Sequence, residues 1–264
     1  MSSDSALLTV RERGWYSGLL NLLRKENGTW WRTKKWWVQA LVWLLIGNGI
    51  VAFILWGIPL FDRTANPRGV DGLGAFINIL GAGTSIGVLI LAQSIIVREK
   101  QMGTAEWILS NPVSRVAFIL SKLIAHAAGI LAIAVVLQAL VAYLQFSLRD
   151  GTLWPPQPLA AAMGLLALNL LFYLALSVLL GAFFNSRGPV LGIAFGVLFV
   201  QQILGQLGEV IPVIPAYMPM KLLEMCLPVA LGQPLPTAAP LISTAVASAL
   251  FIAVAIWRFG RQEF

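Results

Sequence analysis

"REKQMGTAEWILSNPVSRVAFILSKL", residues Arg98–Leu123, lies between two strongly apolar segments and is the longest mainly polar connection of its kind in the chain. A turn between two membrane-spanning helices needs only a few residues. This one holds two basic-acidic pairs, a Gly-Thr step, an Asn-Pro break and a Ser-Arg step. Gly103 is a weak point for a continuing helix. Thr104 can cap a new helix, and Glu106 in its first turn favours the positive end of the helix dipole. "TAEWILS" then gives roughly two turns, about 10 Å. Asn111 precedes Pro112 and is pushed out of helical geometry, which ends the short helix. Ser114 can cap the helix that follows. The pattern predicts a compact helix bracketed by breakers, with Trp107, Ile108 and Leu109 available to a partner. Two readings stand side by side: a helix entering a groove on another protein, or one lying under lipid headgroups.

Outward from this loop the chain is unusually apolar. Of its 264 residues 58% are hydrophobic and 11% charged, and mean hydropathy is +0.82. A soluble domain is about half apolar and about a quarter charged. An α-helical span needs about 20 mainly apolar residues, and six candidates appear: 38–60, 73–97, 116–146, 158–184, 189–207 and 240–257. The third is long enough to tilt or protrude. The predicted fold is therefore all-α and polytopic. Residues 1–37 form a polar, basic and aromatic amino-terminal stretch, 38–257 the six-helix membrane domain and 258–264 a tail. The opening residues do not read as a cleavable signal peptide. The single cysteine, Cys226, argues against a disulfide framework or a four-ligand metal site.

Charge gives the orientation. Six crossings put Arg11, Arg13, Arg24, Lys25, Arg32, Lys34, Lys35, Arg98, Lys100, Arg115, Lys122, Arg187, Arg258 and Arg261 on one side. Only Arg63, Arg68, Arg149 and Lys221 fall on the other. The positive-inside rule then places both termini in the cytoplasm. Basic clusters there attract anionic lipid headgroups, so membrane lipid is the expected partner and nucleic acid is not.

In "GWYSGLLNLLRK", Gly14–Lys25, the residues Trp15, Leu19, Leu22 and Leu23 share a stripe, which suits a short amphipathic helix lying in the membrane interface; a frayed leader is the competing reading. Trp30, Trp31, Trp36 and Trp37 interleave with basic residues as an interfacial aromatic belt. In the last outer connection, repeated prolines from Pro212 to Pro236 forbid one continuous helix. Two short helices dipping into the membrane, or a plain hairpin, fit there. Gly83 and Gly87 make a G-x-x-x-G pair suited to close helix packing. Gln201, Gln202 and Gln206 cluster in the fifth span, where Gln202 and Gln206 share a face; they are candidates for a substrate path or a subunit seam. Lone His126 suits a local hydrogen bond. Asn48, Asn78, Gln93, Gln138 and Asn169 show no convergent pattern. No Walker A string occurs. No acidic residue lies deep in a span, which counts against a proton-coupled carrier.

The string "VREKQMGTAEWILSNPVSRVAFILSKL" resembles the signature of ABC-2 type permeases, the membrane subunits of ABC transporters. Arg98, Glu99, Gly103, Thr104, Glu106, Pro112, Ser114, Arg115 and Lys122 match that signature in order and approximate spacing. Trp107 and Ile108 stand where the family more often has Leu. The six-span layout, the amino-terminal interfacial helix and the apolar last outer loop are also family-like. The resemblance implies a coupling helix around Thr104–Ser110, a separate cytoplasmic ABC ATPase subunit and a second permease subunit, the same or similar. It implies an ATP-driven exporter in a bacterial or archaeal plasma membrane. The chain itself would carry no cofactor and no enzymatic activity; ATP and magnesium would sit on the partner ATPase. The alternative class is a non-transporting membrane scaffold or sensor whose cytoplasmic loop docks a soluble partner.

Overall fold

The computed structural model describes residues 14–110, 112–206 and 213–262. The polar leader with Arg11 and Arg13, Asn111, residues 207–212 with Pro212, and the last two residues lie outside the described residues. So do the side chains of Lys35 and Leu109.

Nine helices are labelled here in chain order. The first, α1 (Leu19–Trp31), precedes the membrane domain. Six helices are long and apolar enough to cross a bilayer: α2 (Trp36–Phe61), α3 (Gly69–Gln101), α5 (Arg115–Asp150), α6 (Pro156–Phe183), α7 (Arg187–Gln206) and α9 (Ala239–Gly260). Between them sit α4 (Thr104–Leu109) and α8 (Met220–Ala230). There is no strand among the described residues. Each of the six predicted spans is present, with ends shifted by a few residues.

The centre of the bundle is α6. In its most apolar window 72% of residues are buried, against 22% for α2, α7 and α9. Such an all-round apolar helix belongs at the centre. It packs chiefly on α9, α8 and α3, while α1 packs on α5. At 33 and 36 residues, α3 and α5 are about 50 Å long. That exceeds the roughly 30 Å of hydrocarbon, so both reach beyond the membrane.

Local chemistry sets the ends. At the far end, Asp71 Oδ2 accepts from the Arg68 N–H at 2.7 Å and Asp150 Oδ1 from the Gly69 N–H at 2.8 Å. Two carboxylates thus meet the positive terminus of α3. Arg149 Nε donates to the Pro67 carbonyl at 2.7 Å, and α5 stops at Gly151 with φ +67°, a left-handed cap. At the near end, which carries both described chain ends, Ser114 Oγ accepts from the Ala117 N–H at 2.9 Å and caps α5 as expected.

Polar residues that look scattered in the sequence converge inside. π-helical turns interrupt α2 at Leu44–Asn48 and α5 at Leu131–Val136. Asn48 Nδ2 donates to Gln138 Oε1 at 2.8 Å, Gln145 Nε2 to Asn48 Oδ1 at 3.0 Å, and Gln138 Nε2 to the Ile133 carbonyl within the α5 π-turn at 3.1 Å. The Gln138 amide thus takes a carbonyl of the α5 π-turn and links it to Asn48 at the end of the α2 π-turn. Asn169 Nδ2 likewise donates to Ser85 Oγ at 2.9 Å. The Gly83–Gly87 pair receives an aromatic ring: a Cβ on Gly87 would lie 2.4 Å from Trp43 Cζ2.

One local expectation changes. The amino-terminal helix starts at Leu19 because Gly18, at φ +77°, takes a left-handed turn before it. Its buried stripe is Leu22, Glu26 and Trp30, while Trp15 is exposed. In the last far-end connection, the described residues form a single 3-10 turn, Pro215–Tyr217, and one eleven-residue helix, α8. Pro228 sits in the final turn of α8 and does not end it, and Leu222, Met225 and Cys226 bury its inner face.

Candidate functional site

The near end of α3 runs through Arg98–Gln101 and stops at Gly103, whose φ of +66° only glycine adopts readily. Gly103 itself is the N-cap of α4. Thr104 does not take that role. Its hydroxyl turns back and donates to the Glu99 carboxylate and to the Glu99 carbonyl, the latter at 3.2 Å. The carboxylate is the stronger kind of acceptor for a hydroxyl donor, and with Gly103 in the N-cap position Thr104 is already inside the helix.

The six residues of α4 have two faces. Ala105 and Ile108 are buried against the protein, whereas Trp107 is 71% exposed and Glu106 is exposed beside it. Ser110 closes the helix: its N–H donates to the Glu106 carbonyl at 3.0 Å and its hydroxyl to the Trp107 carbonyl at 2.7 Å. Beyond it the chain is clasped by the segment before α1. Ser17 Oγ donates to the Pro112 carbonyl at 2.6 Å, and the Ser114 N–H donates to the Ser17 carbonyl at 3.0 Å. Ser114 Oγ also donates to the Trp15 carbonyl. Gly18 lies so near Val113 that a Cβ would be 2.8 Å from Val113 Cγ2.

Below α4 is a buried ionic cluster. Lys122 Nζ lies 2.7 Å from Glu99 Oε1 and 2.9 Å from Glu26 Oε1, and Lys25 Nζ lies 3.8 Å from Glu99. Lys122 and Glu26 are almost wholly buried. Each lone charge there would be costly, so the cluster stands only as a unit. It joins α1, α3 and α5 directly beneath α4. His126 Nδ1 meets the Lys122 carbonyl at 2.8 Å, and its ring contacts the edge of Trp30.

Further ties fix this platform to the rest of the bundle. Lys100 Nζ donates to the Ala182 carbonyl at 2.9 Å and Gln101 Nε2 to the Asn185 carbonyl at 2.9 Å, at the exit of α6. A lysine suits those terminal carbonyls. Arg115 Nη1 donates to the Phe259 and Gly260 carbonyls at the end of α9, where Phe118 stacks on Phe259 with centroids 5.0 Å apart.

The signature residues therefore divide. Glu99, Thr104, Ser114, Arg115 and Lys122 are bonded internally. Arg98, Glu106 and Trp107 face outward. Gly103 and Pro112 shape the chain at either side of α4. The three glutamines separate as well. Gln201 is buried, accepting from the Met220 N–H at 3.1 Å and donating to Tyr173 Oη at 3.4 Å. Gln202 and Gln206 are exposed on the outward side of α7, where Phe199 and Ile203 are also exposed. Glu26 is the member of the ionic cluster that motif reading misses. Its signal is its helical register, four residues from both Leu22 and Trp30.

The arrangement can do one mechanical thing well. A force on α4 reaches α1, α3, α5, α6 and α9 through short bonds rather than through slack chain. A family model described as "ABC-2 family transporter protein" matches residues 20–264. No curated protein matches the chain.

Proposed function

Since this chain belongs to the ABC-2 transporter family and is a membrane subunit of an ABC transporter, we propose that α4 is the coupling helix on which a separate cytoplasmic ABC ATPase acts. The observation that carries this reading is the placement of α4. It is fixed from beneath by the Glu99–Lys122–Glu26 cluster and from the side by Ser17 and Gly18, while Trp107 is left facing out. A helix that transmits displacement needs such rigidity on one side and an exposed face on the other. ATP and magnesium belong to the partner; this chain receives the motion and converts it into a tilt of α3 and α5. Rigid-body switching of this kind requires different contacts in its two states.

The orientation follows from the charge asymmetry, with both termini and α4 inside. A second permease subunit, the same or similar, pairs with this one along an outward face. The outward side of α7, with Gln202, Gln206, Phe199 and Ile203, supports that choice. Export is the proposed direction. The far-end connections between α2 and α3 and between α5 and α6 are short and held down by Asp71, Arg149 and Asp150, which leaves them little surface to receive substrate from a delivery protein.

Co-expression with an ABC ATPase tests the assignment. The ATPase should co-purify, and Trp107→Cys should cross-link to it in an ATP-dependent manner. An ATPase that neither co-purifies nor cross-links, alongside undiminished transport, would overturn the reading.

A further inference from the structure

A cavity of about 660 Å³ opens between α1, the start of α2 and the near ends of α3 and α5. This volume lies in the range of small-ligand sites. Its lining divides by chemistry. Val38, Ile90, Leu91 and Ile95 supply an apolar wall, and Val38 and Ile90 are themselves exposed on helices apolar enough to cross a bilayer. Lys25, Lys34 and Arg98 supply cations on the polar side.

The charges do not all cancel. The two carboxylates in the lining, Glu26 and Glu99, are already matched by Lys122 and Lys25. Lys34 and Arg98 have no carboxylate within ion-pair distance among the described residues. The cavity thus keeps two cations for an occupant. Trp30 adds a further cue: it forms part of the wall, and its buried indole N–H has no acceptor among the described residues. An indole donor of this kind usually finds a partner.

We propose that this cavity is a binding site for an anionic phospholipid. Lys34 and Arg98 hold the phosphate, and Val38 and Ile90 carry the first methylenes of an acyl chain. A guanidinium suits phosphate by its paired donors and a lysine by its point charge. The lipid fits better than a soluble phosphate because the site joins a cationic side to an apolar, membrane-facing one. Seated there, it would wedge α1 against α3 beside the ionic cluster, on the path by which α4 is held. The proposal requires α1 to lie at the membrane surface. It does not depend on the ATPase.

The test is lipid retention by the full chain. The protein is reconstituted in nanodiscs of equimolar phosphatidylglycerol and phosphatidylcholine, and retained lipids are counted by native mass spectrometry. Wild type should retain phosphatidylglycerol selectively. Lys34→Gln with Arg98→Gln should lower that selectivity by roughly ten- to thirtyfold, as expected for two cations near an anionic headgroup. Charge-keeping Lys34→Arg with Arg98→Lys should retain it, which separates charge from folding. Arg63→Gln, at the far end, should also retain it, and millimolar inorganic phosphate should not displace the lipid. Undiminished selectivity in the double Gln variant would overturn the site. Displacement by inorganic phosphate would overturn the lipid as its ligand.

Discussion

Glu99 and Lys122 stand 2.7 Å apart across a loop of twenty-two intervening residues, joining the end of α3 to the first turns of α5. The pair closes the base of the loop that presents α4, and Glu26 of α1 completes it from a third helix. Removing Lys122 would leave two carboxylates facing each other in a buried site. Lys122→Met should therefore destabilise the protein by about 3–5 kcal/mol, read as a lower unfolding midpoint in detergent. Adding Glu26→Gln and Glu99→Gln to Lys122→Met should recover part of the loss. A triple variant no more stable than the single one would show that the cluster is not held by charge.

Trp107 and Ile108 are neighbours with opposite duties. Trp107 is 71% exposed and Ile108 6%. Ile108→Ala should cost about 2 kcal/mol or more in unfolding free energy, since it opens a cavity beneath α4. Trp107→Ala should change stability by less than about 0.5 kcal/mol, yet sharply reduce transport-coupled ATP hydrolysis in the assembled transporter. Full coupling in Trp107→Ala would rule out this face as the contact.

Gly18 holds the clasp between the segment before α1 and the loop. Its φ is +77°, and a Cβ would meet Val113 Cγ2 at 2.8 Å. Gly18→Ala faces both a left-handed backbone penalty of about 1–2 kcal/mol and a steric conflict. Coupling should fall together with the unfolding midpoint. Adding Val113→Ala should restore the part due to crowding and leave the backbone part. A double variant identical to Gly18→Ala would show that the contact with Val113 does not matter.

These residues also show what a sequence discloses here and what it withholds. The six spans follow from hydropathy, because an apolar run of this length has little other use. Gly103 and Ser114 follow from turn and cap chemistry, which is local. Glu26 does not follow in the same way. Periodicity puts it on the stripe with Leu22 and Trp30, but only the packing of α1 on α5 reveals that Lys122 waits opposite. Asn48, Gln138 and Gln145 look unrelated along the chain for the same reason: the register between α2 and α5 is a tertiary fact. Thr104 illustrates a shift of one position. A threonine after glycine reads as a cap, yet Gly103 itself holds the cap position and the Thr104 hydroxyl donates to Glu99, five residues back.

The side of the membrane on which α4 lies decides whether any ATPase can reach it. Ser110 is exposed at the end of α4 and Arg63 is exposed at the far end, while the native thiol, Cys226, is buried and should not compete for reagent. Ser110→Cys should react with a membrane-impermeant maleimide in inside-out vesicles and stay unlabelled in intact cells. Arg63→Cys should show the reverse. The positive-inside asymmetry demands this pattern, because twelve of the sixteen lysines and arginines among the described residues fall on the side of α4. Opposite labelling would turn α4 away from the cytoplasm, and with it the Trp107 contact and the proposed coupling would both be lost.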